Sequence, residues 1–151
     1  MKKSSRSFLF PDVNVWIALT YARHVHHPAA REWFENLDME ERVCFCRITQ
    51  ISLLRLLTTE AVMGSDGVLT QAEAWTAYDA WLVDSRISFL EEPTNLEVAF
   101  RALSRHRRPN PKAWSDSCLA AFASASGLRL VTFDQAFHGK VEQLLILKPP
   151  H

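Results

Sequence analysis

Short apolar runs alternating with segments of helical period constrain this chain more than any other feature. Ser7 to Pro11 (SFLFP), Arg42 to Cys46 (RVCFC), Arg86 to Leu90 (RISFL) and Leu128 to Phe133 (LRLVTF) read as strands, with Leu144 to Leu147 as a short edge strand. Between them, Val13 to Tyr21 reads as a helix. A second helix has Pro28 in its first turn and an apolar stripe of Ala29, Ala30, Trp33, Phe34 and Leu37. A third is expected from an N-cap at Thr49 to about Val62, with Ile51, Leu54 and Leu57 on one face, until Gly64 and Gly67 break it. Thr70-Gln71-Ala72-Glu73 and Thr94-Asn95-Leu96-Glu97 have the pattern of capping boxes, opening helices to Val83 and Ser104. A last helix begins at Ser115 or Asp116 and ends at Gly127. Parallel strands need crossover connections, usually helical, so the pattern predicts an α/β fold around a parallel sheet covered on both faces.

A chain of 151 residues has the size of one domain, expected here over 1–151. Lys+Arg and Asp+Glu both number 17, so a polyanion would have to be held by a local patch and not by the field of the whole molecule. The three cysteines are an odd number in a chain that needs no disulfide staples, which points to a reducing compartment. Lys2, Lys3 and Arg6 precede an apolar run, but Pro11, Asp12 and Asn14 interrupt it too early for a signal peptide. No stretch reaches the roughly 18 apolar residues of a membrane helix. A cytoplasmic protein is expected.

Ligands of parallel sheets bind beyond the carboxyl ends of the strands. Two strand candidates finish there with an acid, Phe8-Leu9-Phe10-Pro11-Asp12 and Leu130-Val131-Thr132-Phe133-Asp134. A helix preceding a parallel strand also starts at that edge, which adds Asp116. Any one of the three has a plain alternative as a helix cap. Three like charges at one edge oppose one another's ionisation unless a cation neutralises them. Carboxylate oxygens without Cys or nearby His suit Mg²⁺ or Mn²⁺, and such a site activates water and neutralises charge on a phosphodiester.

The segments Asp12-Val13-Asn14-Val15-Trp16-Ile17-Ala18-Leu19, Trp114-Ser115-Asp116 leading into Leu119-Ala120-Ala121-Phe122-Ala123, and Leu130 to Asp134 resemble the motifs of PIN-domain ribonucleases. Thr49-Gln50 through Arg55-Leu56-Leu57-Thr58 further resembles the VapC-type toxins of bacterial toxin–antitoxin pairs. The resemblance implies a three-layer α/β/α sandwich and a Mg²⁺ or Mn²⁺ site at Asp12, Asp116 and Asp134. It also implies endonucleolytic cleavage of RNA, a homodimer and inhibition by a small antitoxin protein. One departure stands out: the family commonly carries a Glu on the helix after the second strand, and Thr49 to Thr58 holds no acid. Gln50 and Ser52 are the nearest candidates for its place, while Glu60 lies about 15 Å along the helix from Gln50.

Asn14 either holds a water or phosphate at the site or satisfies a helix-terminal amide. Arg105, Arg107, Arg108 and Lys112 form a basic loop leading to Asp116, suited to gripping RNA phosphates, with a charged surface turn as the alternative. Arg55 reaches a site carboxylate, the scissile phosphate or a structural ion-pair partner. His24, His26 and His27 lack regular ligand spacing and read as a solvated loop. Trp16, Trp33, Trp75 and Trp81 fall in helical stripes and read as packing or dimer contacts, whereas Trp114 borders Asp116. Asp12-Val13-Asn14 lacks the second Asp of a dehalogenase-type phosphatase, and no Asp follows the third strand as a receiver domain would need. The remaining rival is a PIN fold that binds RNA or protein without cutting.

Overall fold

The computed structural model describes residues 8–148, so Ser7 and the basic residues Lys2, Lys3 and Arg6 lie outside the described residues. Among the described residues five strands form one sheet: β1 (Phe8–Pro11), β2 (Arg42–Phe45), β3 (Ile87–Phe89), β4 (Arg129–Thr132) and β5 (Leu144–Ile146). Their order is β3-β2-β1-β4-β5 and every pairing is parallel. Strand order reverses between β1 and β4, which creates the crevice where such sheets bind ligands.

The helices are α1 (Val13–Thr20), α2 (His27–Glu35), α3 (Arg47–Leu57), α4 (Glu60–Met63), α5 (Gln71–Leu82), α6 (Leu96–Leu103) and α7 (Ala113–Ser126). Successive strand residues point to opposite faces, and the core divides accordingly. Leu9, Val43, Phe45 and Val131 pack with Val15, Trp16, Leu53 and Tyr78. Phe10 and Leu130 pack with Leu96, Leu119, Phe122 and Phe137 on the other side. The result is the expected three-layer α/β/α sandwich. Trp16 is fully buried and stacks on Phe45, with centroids 3.8 Å apart at 12°, which seats α1 on the sheet.

Thr70 and Glu73 form the expected reciprocal cap: the Glu73 amide donates to the Thr70 hydroxyl at 3.1 Å, and the Thr70 amide to the Glu73 carboxylate at 2.9 Å. Gly127 ends α7 with φ +67°, a left-handed conformation that a side chain would resist. Other boundaries differ from expectation for identifiable reasons. α3 begins at Arg47 with Cys46 as its cap residue, and Thr49 sits inside the first turn, accepting from the Cys46 amide at 3.0 Å. It stops at Leu57 because Thr58 and Thr59 turn their hydroxyls onto the carbonyls of Leu54 and Arg55, at 3.0 and 2.6 Å, leaving α4 as a separate turn. Thr94 caps nothing: the Leu96 amide bonds the Pro93 carbonyl in a turn, and Glu97 pairs with Arg101 at 2.7 Å. α7 starts at Ala113, two residues before Ser115.

Cys44, Cys46 and Cys118 are free thiols. Among the described residues no helix is long and apolar enough to cross a membrane. The histidine loop is more structural than expected: a His27 ring nitrogen lies 2.7 Å from the Ala18 carbonyl, and His26 stacks on Phe133 at 4.6 Å.

Candidate active site

The β1–β4 crevice is stitched together by one hydroxyl. Asp12 follows β1 directly, and its amide donates to the Val131 carbonyl at 2.8 Å. One carboxylate oxygen, Oδ1, accepts from the Val13 amide at 2.7 Å and caps α1. The other, Oδ2, accepts from the Thr132 hydroxyl at 3.0 Å. Thr132 is fully buried, and its Oγ1 also accepts from the Asp134 amide at 3.0 Å and from Asn14 Nδ2 at 3.1 Å. Asn14 Oδ1 in turn accepts from the Phe133 amide at 3.3 Å. Asn14 therefore braces the end of β4, and Thr132 couples Asp12, Asn14 and Asp134. Sequence reasoning assigned Thr132 no role, although its place two residues before an acid at a strand end was a usable signal.

Asp134 caps the short 3₁₀ turn Gln135–Phe137, with Oδ1 accepting from the Ala136 amide at 2.9 Å. The capping alternative is thus true of one oxygen each in Asp12 and Asp134. It is not true of Asp116, which lies within the first turn of α7 and caps nothing. There its negative charge favours the helix N-terminus.

Asp12 and Asp116 line one cleft of about 230 Å³, together with Thr49, Ser52, Arg55 and Ser115. Asp134 does not line it, but its charge acts on both other acids. Gln50, expected as a substitute for the missing Glu, faces elsewhere: it is buried, and its Oε1 accepts from Arg47 Nη1 at 2.6 Å. Gln50 also reaches the Tyr78 hydroxyl. Ser52, about 200° further round α3, is the residue of the pair that faces the carboxylates. Arg55, one turn on, lines the same cleft and makes no ion pair among the described residues, so the structural salt bridge considered for it is not formed.

Burial pushes the Asp12 carboxyl up to about 6, against the hydrogen bonds from Thr132 and Val13 that favour its charged form. The charges of Asp116 and Asp134 push the same way. Asp116 is also raised, by desolvation first and then by Asp134, while Lys140 acts in the opposite sense. Among the described residues no three His, Cys, Asp or Glu side chains are gathered closely enough to hold an ion as they stand. The donor chemistry nonetheless fits a small hard cation: the cleft offers carboxylates and hydroxyls, and its most buried acid is destabilised as an anion.

The basic loop lies apart from this cleft, between α6 and α7. Arg107 and Arg108 line a larger hollow with Trp114, Arg105 lines the neighbouring one, and Lys112 immediately precedes α7.

A parallel α/β/α sandwich with aspartates where strand order reverses is the architecture of a PIN domain. Residues 9–141 match that family, and the chain belongs to it. Ribonuclease VapC41 of Mycobacterium tuberculosis is 46% identical over 145 residues, spanning 93% of this chain and 99% of its own length. Ribonuclease VapC39 of the same species is 34% identical over 129 residues, 83% of this chain and 87% of its own. Within the PIN domains, the chain belongs with these VapC ribonucleases. The fold matches the crystal structure of M. tuberculosis VapC20, a sarcin-ricin loop cleaving toxin, with TM-score 0.66 at 17% identity over 93% of this chain and 99% of that one. It equally matches VapBC2 from Rickettsia felis bound to promoter DNA, with TM-score 0.66 at 13% identity over the same shares.

Proposed function

We propose that this protein is a Mg²⁺- or Mn²⁺-dependent endoribonuclease and the toxin of a VapBC-type pair. The observation that carries this reading is Asp12, a buried carboxylate pushed up to about 6, which shares its cleft with Asp116 and feels the charge of Asp134. Such a charge is tolerated when a cation shares the site, and Asp12, Asp116 and Asp134 are the residues that would hold one. A divalent ion there supplies an activated water and neutralises charge on the phosphodiester.

The rest is work for the chain's own groups. Thr132 orients Asp12 through Oδ2, leaving the cap at Oδ1 to fix the carboxylate plane. Asn14 keeps the β4 end, and with it Asp134, in register with α1. Asp116 keeps both oxygens free of capping. Arg55 approaches the scissile phosphate, since it lines the cleft and has no ion pair among the described residues. Arg105, Arg107, Arg108 and Lys112 hold the RNA backbone beyond the cleft. With Ser52 where an acid would add charge, the site binds its ion weakly and works at millimolar metal.

An antitoxin partner is supported by the relatives and by an apolar groove of about 330 Å³ between α3 and α5, lined by Ile51, Leu54 and Trp75. Ile51 and Trp75 are about half exposed there. A cytoplasmic homodimer completes the reading, on the resemblance to the family. Incubating the protein with total RNA tests the activity: cleavage is expected with Mg²⁺ or Mn²⁺ and not with EDTA. No cleavage at any metal concentration would replace the nuclease with a PIN fold that only binds.

A further inference from the structure

The loop between α6 and α7 encloses more than charge. Arg107, Arg108 and Asn110 border a cavity of about 540 Å³ that Trp114 also lines. Trp114 is 58% exposed, more open than Trp75 at 47%. It borders a second hollow of about 450 Å³ with Phe100 and Arg105, so the indole stands between two open spaces. Phe100 meets it edge-on, with centroids 6.0 Å apart at 73°, a contact that holds the ring while leaving it accessible.

The surrounding cations are also uncommitted. Exposed Arg23, Arg31 and Arg101 are each paired with an acid, while Arg47, Arg55 and Arg129 stand singly elsewhere, without an ion pair among the described residues. Arg105, Arg107, Arg108 and Lys112 have no ion pair among the described residues. An apolar protein surface laid on this patch would desolvate several unpaired guanidinium groups, which is unfavourable. A nucleotide brings both things the patch lacks: a π-face for the indole and phosphates for the arginines.

We propose that this hollow is a nucleotide subsite, in which an unpaired base of single-stranded RNA stacks on Trp114 while flanking phosphates lie against Arg107 and Arg108. The proposal rests on the ribonuclease reading and adds to it the substrate class, RNA with a splayed-out base. Trp114 and Asp116 are two residues apart in the first turn of α7, hence about 200° apart around it. The strand therefore crosses the N-terminal end of α7 between the base site and the carboxylates. Amide groups left free at a helix N-terminus favour a phosphate in that position. Stacking tolerates any base, so the subsite selects for unpaired structure ahead of sequence.

Binding is measured in EDTA, where nothing is cut, by the anisotropy of a labelled, unpaired twelve-nucleotide RNA. Stacking on an aromatic side chain contributes roughly 5- to 150-fold per base. Trp114→Ala should weaken binding at least about 10-fold, and Trp114→Phe, which keeps a π-face and the packing on Phe100, by less than about 3-fold. An RNA bearing abasic sites throughout should bind wild type and Trp114→Ala alike. The salt dependence should flatten in Arg107→Gln and be unchanged in Trp114→Ala. RNA binding by Trp114→Ala within 2-fold of wild type would overturn the proposal. So would loss of antitoxin binding in Trp114→Ala with RNA binding intact, since the face would then belong to that partner. Cleavage assays in Mn²⁺ separate the two failures: wild type that cuts RNA while Trp114→Ala binds normally refutes the subsite alone, and wild type that neither cuts nor binds refutes the ribonuclease reading as well.

Discussion

At neutral pH Asp12 is ionised in a place that resists charge, only 7% exposed and repelled by Asp116 and Asp134. Replacing it with Asn keeps an acceptor for the Val13 amide and removes the charge. The cost of that charge follows from the shift of its carboxyl from 3.8 to about 6. At 1.36 kcal/mol per pH unit this is about 3 kcal/mol. Because the folded value is raised, the folded state holds the extra proton between 3.8 and about 6, and stability falls as pH rises through that window. Above about pH 6.5 the penalty is complete, and below about pH 3.8 it is absent. For a domain of this size 1 kcal/mol moves Tm by roughly 2–4 °C. Asp12→Asn should therefore melt roughly 6–12 °C higher than wild type at pH 7.5 in EDTA, nearly match it at pH 3.8, and fail to cleave RNA. Added Mn²⁺ should raise the wild-type Tm and leave the variant where it was, by mass action on the folded state. A variant no more stable than wild type at pH 7.5, or one whose advantage persists at pH 3.8, would refute the claim that Asp12 is held ionised at a cost.

Three further outcomes follow from the same geometry. Thr132→Val should destabilise the fold by about 1–3 kcal/mol in urea denaturation, because the Asp134 amide and Asn14 lose a buried acceptor, and should move the acid limb of the pH–rate profile upward as Asp12 loses a bond to its charged form. Ser52→Glu should tighten Mn²⁺ binding about 10-fold by calorimetry, whereas Gln50→Glu, facing Arg47 and Tyr78, should leave it within 2-fold. Arg55→Gln should slow cleavage at least about 10-fold yet tighten Mn²⁺ binding, a pair of opposite changes that a purely structural arginine would not produce.

The sheet and the placement of the acids were legible because strand ends and helix starts carry strong local signals, as Phe10-Pro11-Asp12 and Thr70 to Glu73 show. The facing of α3 was not. Its run Gln50-Ile51-Ser52-Leu53-Leu54-Arg55-Leu56-Leu57 is apolar around most of its circumference, so periodicity barely marks the buried side. The expected stripe of Ile51, Leu54 and Leu57 is in fact centred on Leu53 and Leu57, with Ile51 half exposed. That rotation decides which of Gln50 and Ser52 meets the carboxylates. The early stop of α3 depends on the hydroxyl rotamers of Thr58 and Thr59, and the role of Thr132 on a contact spanning 120 residues. The first leaves no trace in local pattern, and the second only the position of Thr132 two residues before Asp134.

The most direct test is one titration that reads metal and chemistry together: Mn²⁺ added to wild type, Asp12→Asn, Asp116→Asn and Asp134→Asn, with bound ion followed by electron paramagnetic resonance and RNA cleavage followed in the same samples. Wild type should cleave in proportion to bound Mn²⁺ with a midpoint near the millimolar range, and each variant should lose both signals together. Cleavage that survives EDTA, or any of the three variants binding Mn²⁺ and cutting RNA like wild type, would contradict a three-aspartate metal site.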